Sequence, residues 1–228
     1  MIRRVAKSQG ANMKRRVRLA LLFLMIMMLP LGRAAAQHQH PPQHQPPQRT
    51  AEEWARIYND PRRDAWQKPD EVLKALELKP NEVVADIGTG AGYFAHRFAK
   101  QVAKVYAVDI DEGLLRITGG GAPANVETVL AAPNDPKLPD ASVDTVFFCD
   151  VVHHIEDRVA YYRRLARVLR PGGRIVVIDF HKRPLPMGPP VHVKLTPEEV
   201  TREFERAGFR SVRQFDILPH QYFLVFQR

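Results

Sequence analysis

Residues 86–94 read DIGTGAGYF, a glycine-rich stretch that is the strongest indication of the fold in the sequence. Glycines at alternate positions, Gly88, Gly90 and Gly92, allow a sharp turn and let a ligand approach the backbone. An apolar run precedes the stretch and a helical pattern follows it, which predicts a ligand-binding loop between a strand and a helix. Tyr93 stands where a dinucleotide-binding loop has its third glycine. The alternative is a tight strand–helix turn with helix-capping acids.

Short apolar runs alternate with helical patterns along the chain, which is typical of a doubly wound α/β fold with helices on both faces. The short connection at Pro219 and His220 requires the last two strands to be antiparallel. We therefore predict a mostly parallel seven-stranded sheet that ends in a C-terminal antiparallel hairpin. The predicted strands are 82–86, 102–109, 126–130, 145–149, 174–179, 211–217 and 222–227. The predicted helices are 50–58, 69–78, 93–100, 111–116, 158–169 and 197–207.

Two acidic residues accompany the glycine loop. Asp86 precedes the first glycine, and Asp109 ends the second predicted strand, directly before Ile110. Ligands of open α/β sheets bind at the carboxyl ends of strands, where these three residues fall. The arrangement suits a ligand with an amino-acid end and a nucleoside end. Asp86 would orient a cationic amino group through backbone or water contacts, and Asp109 would accept hydrogen bonds from both ribose hydroxyls.

Three more blocks follow in order: AVDID at 107–111, DASVDTVFFCDVVHHIED at 140–157 and VLRPGGRIVVIDF at 168–180. Together with the glycine loop they resemble the class I, seven-stranded S-adenosylmethionine-dependent methyltransferases, from about Asp70 to the C-terminus. The resemblance implies S-adenosylmethionine as the cofactor. It gives the loop role to the three glycines and the ribose role to Asp109.

The adenine contact departs from the family pattern. Many members have an acidic residue after the third strand that reads the adenine amino group, but Ala132 occupies that position here. Asn134 or Asp135 is the candidate substitute. The expected cofactor-binding residues are Asp86, Gly88, Gly90, Gly92, Tyr93, Asp109, Ile110, Asn134, Asp135 and Asp150.

Two histidines follow the fourth predicted strand. His153 or His154 is the candidate general base, because an unperturbed imidazole titrates near neutral pH. The alternative is that one histidine packs over the cofactor and the other caps the next helix. We predict no metal site.

The resemblance implies methyl transfer to an acceptor that we expect to be a small molecule. One alternative is a non-catalytic protein that binds S-adenosylmethionine or another small molecule on the same scaffold. The other is an NAD(P)-dependent oxidoreductase, because its fold and loop are similar. Tyr93 and the family blocks argue against the oxidoreductase. The sequence leaves the oligomeric state open.

The positive charge of the chain is concentrated at its N-terminus. Residues 1–36 hold eight basic residues and no acidic one, so the net charge falls from +9 to +1 (9 − 8) for residues 37–228. A nearly neutral body lacks the electrostatic footprint of a nucleic-acid-binding protein. We therefore predict no nucleic-acid partner.

The N-terminal segment has the pattern of an export signal: basic residues at 14–18, an apolar run at 19–29, and three alanines at 34–36. We predict a signal peptide over 1–36, a Pro/Gln/His-rich linker over 37–49 and a methyltransferase domain over 50–228. Residues 50–80 of that domain are predicted to form a helical cover. Export would place the protein in the periplasm or outside the cell, without stable membrane insertion after cleavage. The alternative is a membrane anchor formed by residues 19–31, with the domain outside.

Overall fold

Seven strands form one mixed sheet in the computed structural model, which describes residues 49–228. Their order across the sheet is β3-β2-β1-β4-β5-β7-β6. The strands are β1 (Val83–Ile87), β2 (Lys104–Asp109), β3 (Val126–Leu130), β4 (Val143–Cys149), β5 (Leu169–Phe180), β6 (Arg210–Phe215) and β7 (Gln221–Gln227). The predicted signal peptide and nearly all of the predicted linker lie outside the described residues.

The sheet has the predicted mixture of strand directions. Strands β1 to β5 run parallel to their neighbours, whereas β7 is antiparallel to both β5 and β6. The chain steps outward from β1 to β2 and β3, and then returns to the other side of β1 at β4. This reversal opens a crevice at the carboxyl ends of β1 and β4, where ligands of such folds bind.

Helices cover both faces of the sheet, as predicted. Helices α6 and α7 contribute buried residues to the core on one face, and α3 and α4 do so on the other. The helices are α1 (Ala51–Tyr58), α2 (Asp64–Gln67), α3 (Pro69–Leu76), α4 (Ala95–Phe98), α5 (Glu112–Gly119), α6 (Arg158–Val168) and α7 (Pro197–Arg206). None of the helices within residues 49–228 has the length and apolar character that crossing a bilayer requires.

Residues 146–149 of strand β4 show why a continuous apolar run is needed in the middle of the sheet. Phe147 packs in the cluster that holds α3 and α4, while its neighbour Phe148 packs in the cluster that holds α6 and α7. Both rings are fully buried. Because alternate side chains of a strand point to opposite faces, a strand that is covered on both faces cannot alternate apolar and polar residues.

Two predicted elements differ more strongly in length from those in the structure than the others do. Helix α4 covers only Ala95–Phe98 instead of 93–100, because Gly92 has a φ of 82° and the chain is still turning there. Strand β5 begins at Leu169 instead of residue 174, and the register shifts between the pairs that join it to β4. The Pro-Gly-Gly sequence at 171–173 lies between the predicted helix 158–169 and the predicted strand 174–179, whereas the structure incorporates it into an irregular strand.

The predicted helical cover divides into two parts. Helix α1 packs against α5 and places Trp54 and Tyr58 beside the crevice. Helix α3 instead buries Val72, Leu73 and Leu76 in the core against the sheet. Only the first part, which extends to Arg63, therefore contributes to a site.

Candidate cofactor and active site

A cavity of about 400 Å³ lies at the carboxyl ends of β1, β2 and β4. Its size is within the range of small-molecule sites. Helix α1 and the segment after it close one side, and the turn after β3 closes another. The residues that line it include Trp54, Tyr58, Arg63, Asp86, Gly88, Thr89, Gly90, Tyr93, Asp109, Ile110, Ala131, Ala132, Pro133, Cys149, Asp150, Val151 and His154.

The glycine loop forms the floor of this cavity because other residues leave it no room for side chains. Gly88 has a φ of 72°, and a Cβ there would lie 2.3 Å from a methyl carbon of Val151. A Cβ on Gly90 would lie 3.0 Å from the ring of Tyr58. The Gly90 amide donates to Oδ2 of Asp109 at 2.8 Å. Backbone is therefore exposed to the cavity at the point where β1 ends, and Asp109 fixes its position.

Three buried or half-buried carboxylates face the cavity. Burial raises the pKa of Asp86 to about 7, although the Thr89 hydroxyl donates to its Oδ2 at 2.8 Å. Burial also raises the pKa of Asp109 above its ordinary value and that of Asp150 to about 6. The raised pKa values mean that hydrogen bonds and positive charges of the protein do not fully offset the loss of hydration of the ionised carboxylates. A positively charged ligand would supply that compensation.

Asp150 is the most constrained of these acids. Its φ of 62° is in the left-handed region, which is uncommon for a residue with a side chain and is found often at functional sites. The side chain of Gln221 donates to Oδ1, and Arg63 lies 3.4 Å from Oδ2. The end of β4, the start of β7 and the segment before α2 thus meet at this carboxylate.

The two candidate histidines have different surroundings, although both lie in the 3₁₀ turn Val152–His154. The side chain of His153 is 3% exposed, and its Nδ1 lies 2.8 Å from Oδ2 of Asp179. His154 lines the cavity, where burial and the neighbouring His153 lower its pKa. His154 is therefore neutral near pH 7 and able to accept a proton. The alternative in which a histidine caps the next helix does not hold, because the Asp157 side chain caps α6 by accepting from the Ala160 amide.

The turn after β3 presents an apolar surface to the cavity. Ala131, Ala132 and Pro133 line it. Ala132 and Asp135 close a tight turn through two backbone hydrogen bonds, and Asp135 pairs with Lys137 at 3.0 Å. The Asp135 carboxylate is therefore paired with a lysine, and neither Asn134 nor Asp135 lines the cavity.

Most of the predicted site residues come together in this one cavity. The four that do not line it are His153, Gly92, Asn134 and Asp135. Gly92 packs against His96 and Thr118. Arg63 is a cavity residue that no sequence pattern predicts. It stands beside Arg62, whose side chain is 89% exposed against 13% for Arg63, and two adjacent arginines look alike in a sequence.

The fold and the cavity fit a nucleoside-type ligand that carries positive charge, at the switch point of a doubly wound sheet. Residues 85–177 match a family model described as a methyltransferase domain. An S-adenosylmethionine-dependent methyltransferase structure from Aquifex aeolicus superposes with a TM-score of 0.72 and 29% identity, covering 75% of this chain and 95% of that one.

Curated relatives agree with this match. An uncharacterized methyltransferase of Mycobacterium bovis is 35% identical over 49% of this chain and 57% of its own length. A phosphoethanolamine N-methyltransferase from Arabidopsis thaliana is 29% identical over 50% of this chain and 24% of its own length. The chain thus spans between about a quarter and little more than half of these two relatives. The matched domain and the Aquifex structure support a class I methyltransferase, a family whose cofactor is S-adenosylmethionine.

Proposed function

We propose that this protein transfers a methyl group from S-adenosylmethionine to a small-molecule acceptor. The observation that supports it most strongly is the convergence of the glycine loop with Asp86, Asp109 and Asp150 on one cavity. Buried carboxylates with raised pKa values favour a ligand with an ammonium and a sulfonium group. The dinucleotide of an oxidoreductase carries negatively charged phosphates, which these acids would repel.

The residues present fit S-adenosylmethionine from end to end. Asp109 would accept hydrogen bonds from the ribose hydroxyls, and Ile110 with Ala131 to Pro133 would contact the adenine. The exposed backbone at Gly88 and Gly90 would lie beneath the amino-acid end. Asp86 would face the ammonium group, directly or through water. The missing Cβ atoms of the loop are the structural sign of this fit, because side chains there would clash with Val151 and Tyr58.

We assign the chemistry to residues at the end of β4. When bound, S-adenosylmethionine supplies a methyl group on a positively charged sulfur, which a nucleophile can displace. The protein contributes orientation and exclusion of water, since the cover places Trp54, Tyr58 and Arg63 over the cavity. A neutral His154 would hold the proton that an oxygen or nitrogen acceptor loses. His153 is held by Asp179 outside the cavity, so its role would be to support His154 by packing against it, with ring centroids 4.1 Å apart and ring planes tilted by 47°.

The relatives support a small-molecule acceptor, but their names differ in the acceptor atom that is methylated. The Arabidopsis relative is named for methylation of phosphoethanolamine, and a Francisella philomiragia relative that is 28% identical is a ubiquinone/menaquinone biosynthesis C-methyltransferase. One name refers to a nitrogen acceptor and the other to a carbon acceptor. We therefore propose a small-molecule acceptor without assigning the atom that receives the methyl group.

Titration calorimetry of the purified protein with S-adenosylhomocysteine tests the cofactor assignment. We expect saturable binding, and no binding of NADH under the same conditions. Absence of binding at millimolar S-adenosylhomocysteine would contradict the proposal, and binding of NADH would favour the oxidoreductase. Binding of S-adenosylmethionine without turnover of any small-molecule panel would favour a non-catalytic binding protein.

We also propose that the domain is exported. Support comes from the order of basic, apolar and small residues in 1–36 and from the proline- and glutamine-rich segment after it. N-terminal sequencing of the natural protein tests this. A start near Gln37 is expected, a retained N-terminus in the membrane fraction would indicate an anchor, and an intact chain in the cytoplasm would contradict export.

A further inference from the structure

Arg63 is the only lysine or arginine among the described residues that line the cavity. It faces a site in which Asp86, Asp109 and Asp150 supply negative charge. A ligand for this site is expected to be cationic overall, yet the amino-acid end of S-adenosylmethionine also carries one carboxylate. A single well-placed cation is what such a ligand requires.

The guanidinium of Arg63 is held on several sides. Its Nε and one terminal nitrogen donate to Oε1 of Gln67 at 3.2 and 3.0 Å, and the other terminal nitrogen donates to the Tyr58 carbonyl at 3.1 Å. It lies 4.1 Å from the centre of the Tyr93 ring. Arginine has five N–H donors. Among the described residues, the nitrogen that bonds Tyr58 has one N–H without an acceptor.

A network of hydrogen bonds between buried side chains fixes the position of the Arg63 guanidinium. Gln67 is fully buried, and its Nε2 donates to Oε1 of Gln221 at 2.8 Å. Gln221 is 2% exposed and donates to Asp150, which Arg63 approaches from the other side. Moving Arg63 away would remove both of its hydrogen bonds to the buried Gln67 oxygen, which would keep only the long one from Nε2 of Gln221 at 3.4 Å. Weakening the hydrogen bonding of a buried polar group in this way destabilises the protein. The guanidinium is therefore preorganised before a ligand arrives.

Arg63 also lies near the acid that would face the ligand's ammonium group. Burial raises the pKa of Asp86, and the positive charge of Arg63 opposes this effect in part. Both residues line the cavity together with Tyr93, at the end where the glycine loop begins. An ammonium and a carboxylate on one carbon atom would thus find an acid and a guanidinium at the same end of the cavity.

We propose that Arg63 binds the α-carboxylate of S-adenosylmethionine and makes the site specific for ligands that retain this group. This inference rests on the proposed function. It assigns Arg63 as a specificity-determining residue, and Gln67 and Gln221 as the residues that position it. The segment after α1 therefore belongs to the site, since it supplies the cation of the cavity lining, to which the described strands contribute none.

Two ligands and two variants test the proposal. The ligands are S-adenosylhomocysteine and its decarboxylated analogue, in which hydrogen replaces the carboxylate. The variants of the full chain are Arg63→Gln and the matched control Arg62→Gln, since Arg62 is exposed and pairs only with Asp60. The wild type should prefer S-adenosylhomocysteine by about tenfold to a hundredfold, the value of a charge-assisted hydrogen bond. Arg63→Gln should lose most of this preference by weakening S-adenosylhomocysteine alone, and Arg62→Gln should keep it.

Other results overturn the inference in distinguishable ways. Equal weakening of both ligands in Arg63→Gln would show that Arg63 acts only through the structure of the cover. A wild type that binds both ligands equally would show that no carboxylate site exists. A wild type that binds neither ligand would overturn the proposed function and this inference with it. If Arg63→Gln does not fold by circular dichroism, Arg63→Lys replaces it and should retain a reduced preference; equal affinities in that variant would contradict the proposal.

Discussion

Asp109 uses both carboxylate oxygens within the protein. One accepts from the Gly90 amide at 2.8 Å and the other from the Asp111 amide at 3.1 Å. A ribose would therefore meet a carboxylate that is already oriented by two backbone donors. Preorganisation of this kind lowers the cost of binding, because little side-chain freedom remains to be lost.

Asp109→Ala should weaken the binding of S-adenosylhomocysteine by about 1–3 kcal/mol, since it leaves ribose hydroxyls without their acceptor. Calorimetry measures the dissociation constant, and circular dichroism confirms that the variant is folded. The control is Asp140→Ala, whose side chain is 64% exposed and pairs with Arg167 far from the cavity. An unchanged dissociation constant in folded Asp109→Ala would refute the assigned role.

The turn from β1 into α4 depends on the absence of a side chain at Gly88. Two separate costs apply to Gly88→Ala: the left-handed φ of 72° and the overlap with Val151 at 2.3 Å. The matched control is Gly121→Ala, because Gly121 has a φ of 83° but nothing within 4 Å of the position that a Cβ would take. The φ cost is about 1–2 kcal/mol for either alanine.

Gly88→Ala should therefore lower the free energy of unfolding by more than Gly121→Ala does. Overpacking typically adds about 1–3 kcal/mol to the conformational cost. Urea unfolding of both variants measures the difference directly. Equal losses would mean that Val151 moves aside freely and that the loop is not closely packed against the turn after β4.

The contact between α2 and β7 runs through the buried pair Gln67 and Gln221. Gln221→Leu leaves the Nε2 of Gln67 and one oxygen of Asp150 without their partners. The free energy of unfolding should fall by about 1–3 kcal/mol or more. The control is Gln214→Leu on β6, where the side chain is exposed and should change stability little. Urea unfolding that shows equal effects would contradict a structural role for the pair.

Elements and site residues differ in how well the sequence predicts them. The second half of β4 is predictable because both faces are buried there and residues 146–149 are all apolar. Asp86 and Asp109 are predictable because each lies next to the end of its strand. Gln67 and Gln221 are 154 residues apart, and only the complete fold brings them together. No local pattern distinguishes a buried glutamine or Arg63 from exposed ones.

At the scale of the whole molecule, the carboxylates of the cavity affect stability as well as binding. Burial raises the pKa of Asp86 to about 7, whereas an aspartate of an unfolded chain has a pKa near 4. Between these values the folded state holds a proton that the unfolded state has released. Ionising Asp86 therefore costs increasing stability as the pH rises from about 5 to about 8. Asp86→Asn removes this ionisation and keeps an oxygen that accepts from the Thr89 hydroxyl.

The free energy of unfolding of Asp86→Asn, minus that of the wild type, should accordingly grow by about 2 kcal/mol between about pH 5 and about pH 8. Urea unfolding without ligand at several pH values measures this difference. The subtraction cancels the opposite contribution of His154, whose lowered pKa makes the fold more stable as the pH rises. In the control Asp140→Asn, at an exposed site, the difference should stay nearly constant over the same range. A difference for Asp86→Asn that is constant or shrinks toward high pH would show that its carboxylate ionises without cost, and that the cavity does not need a cationic ligand to balance it.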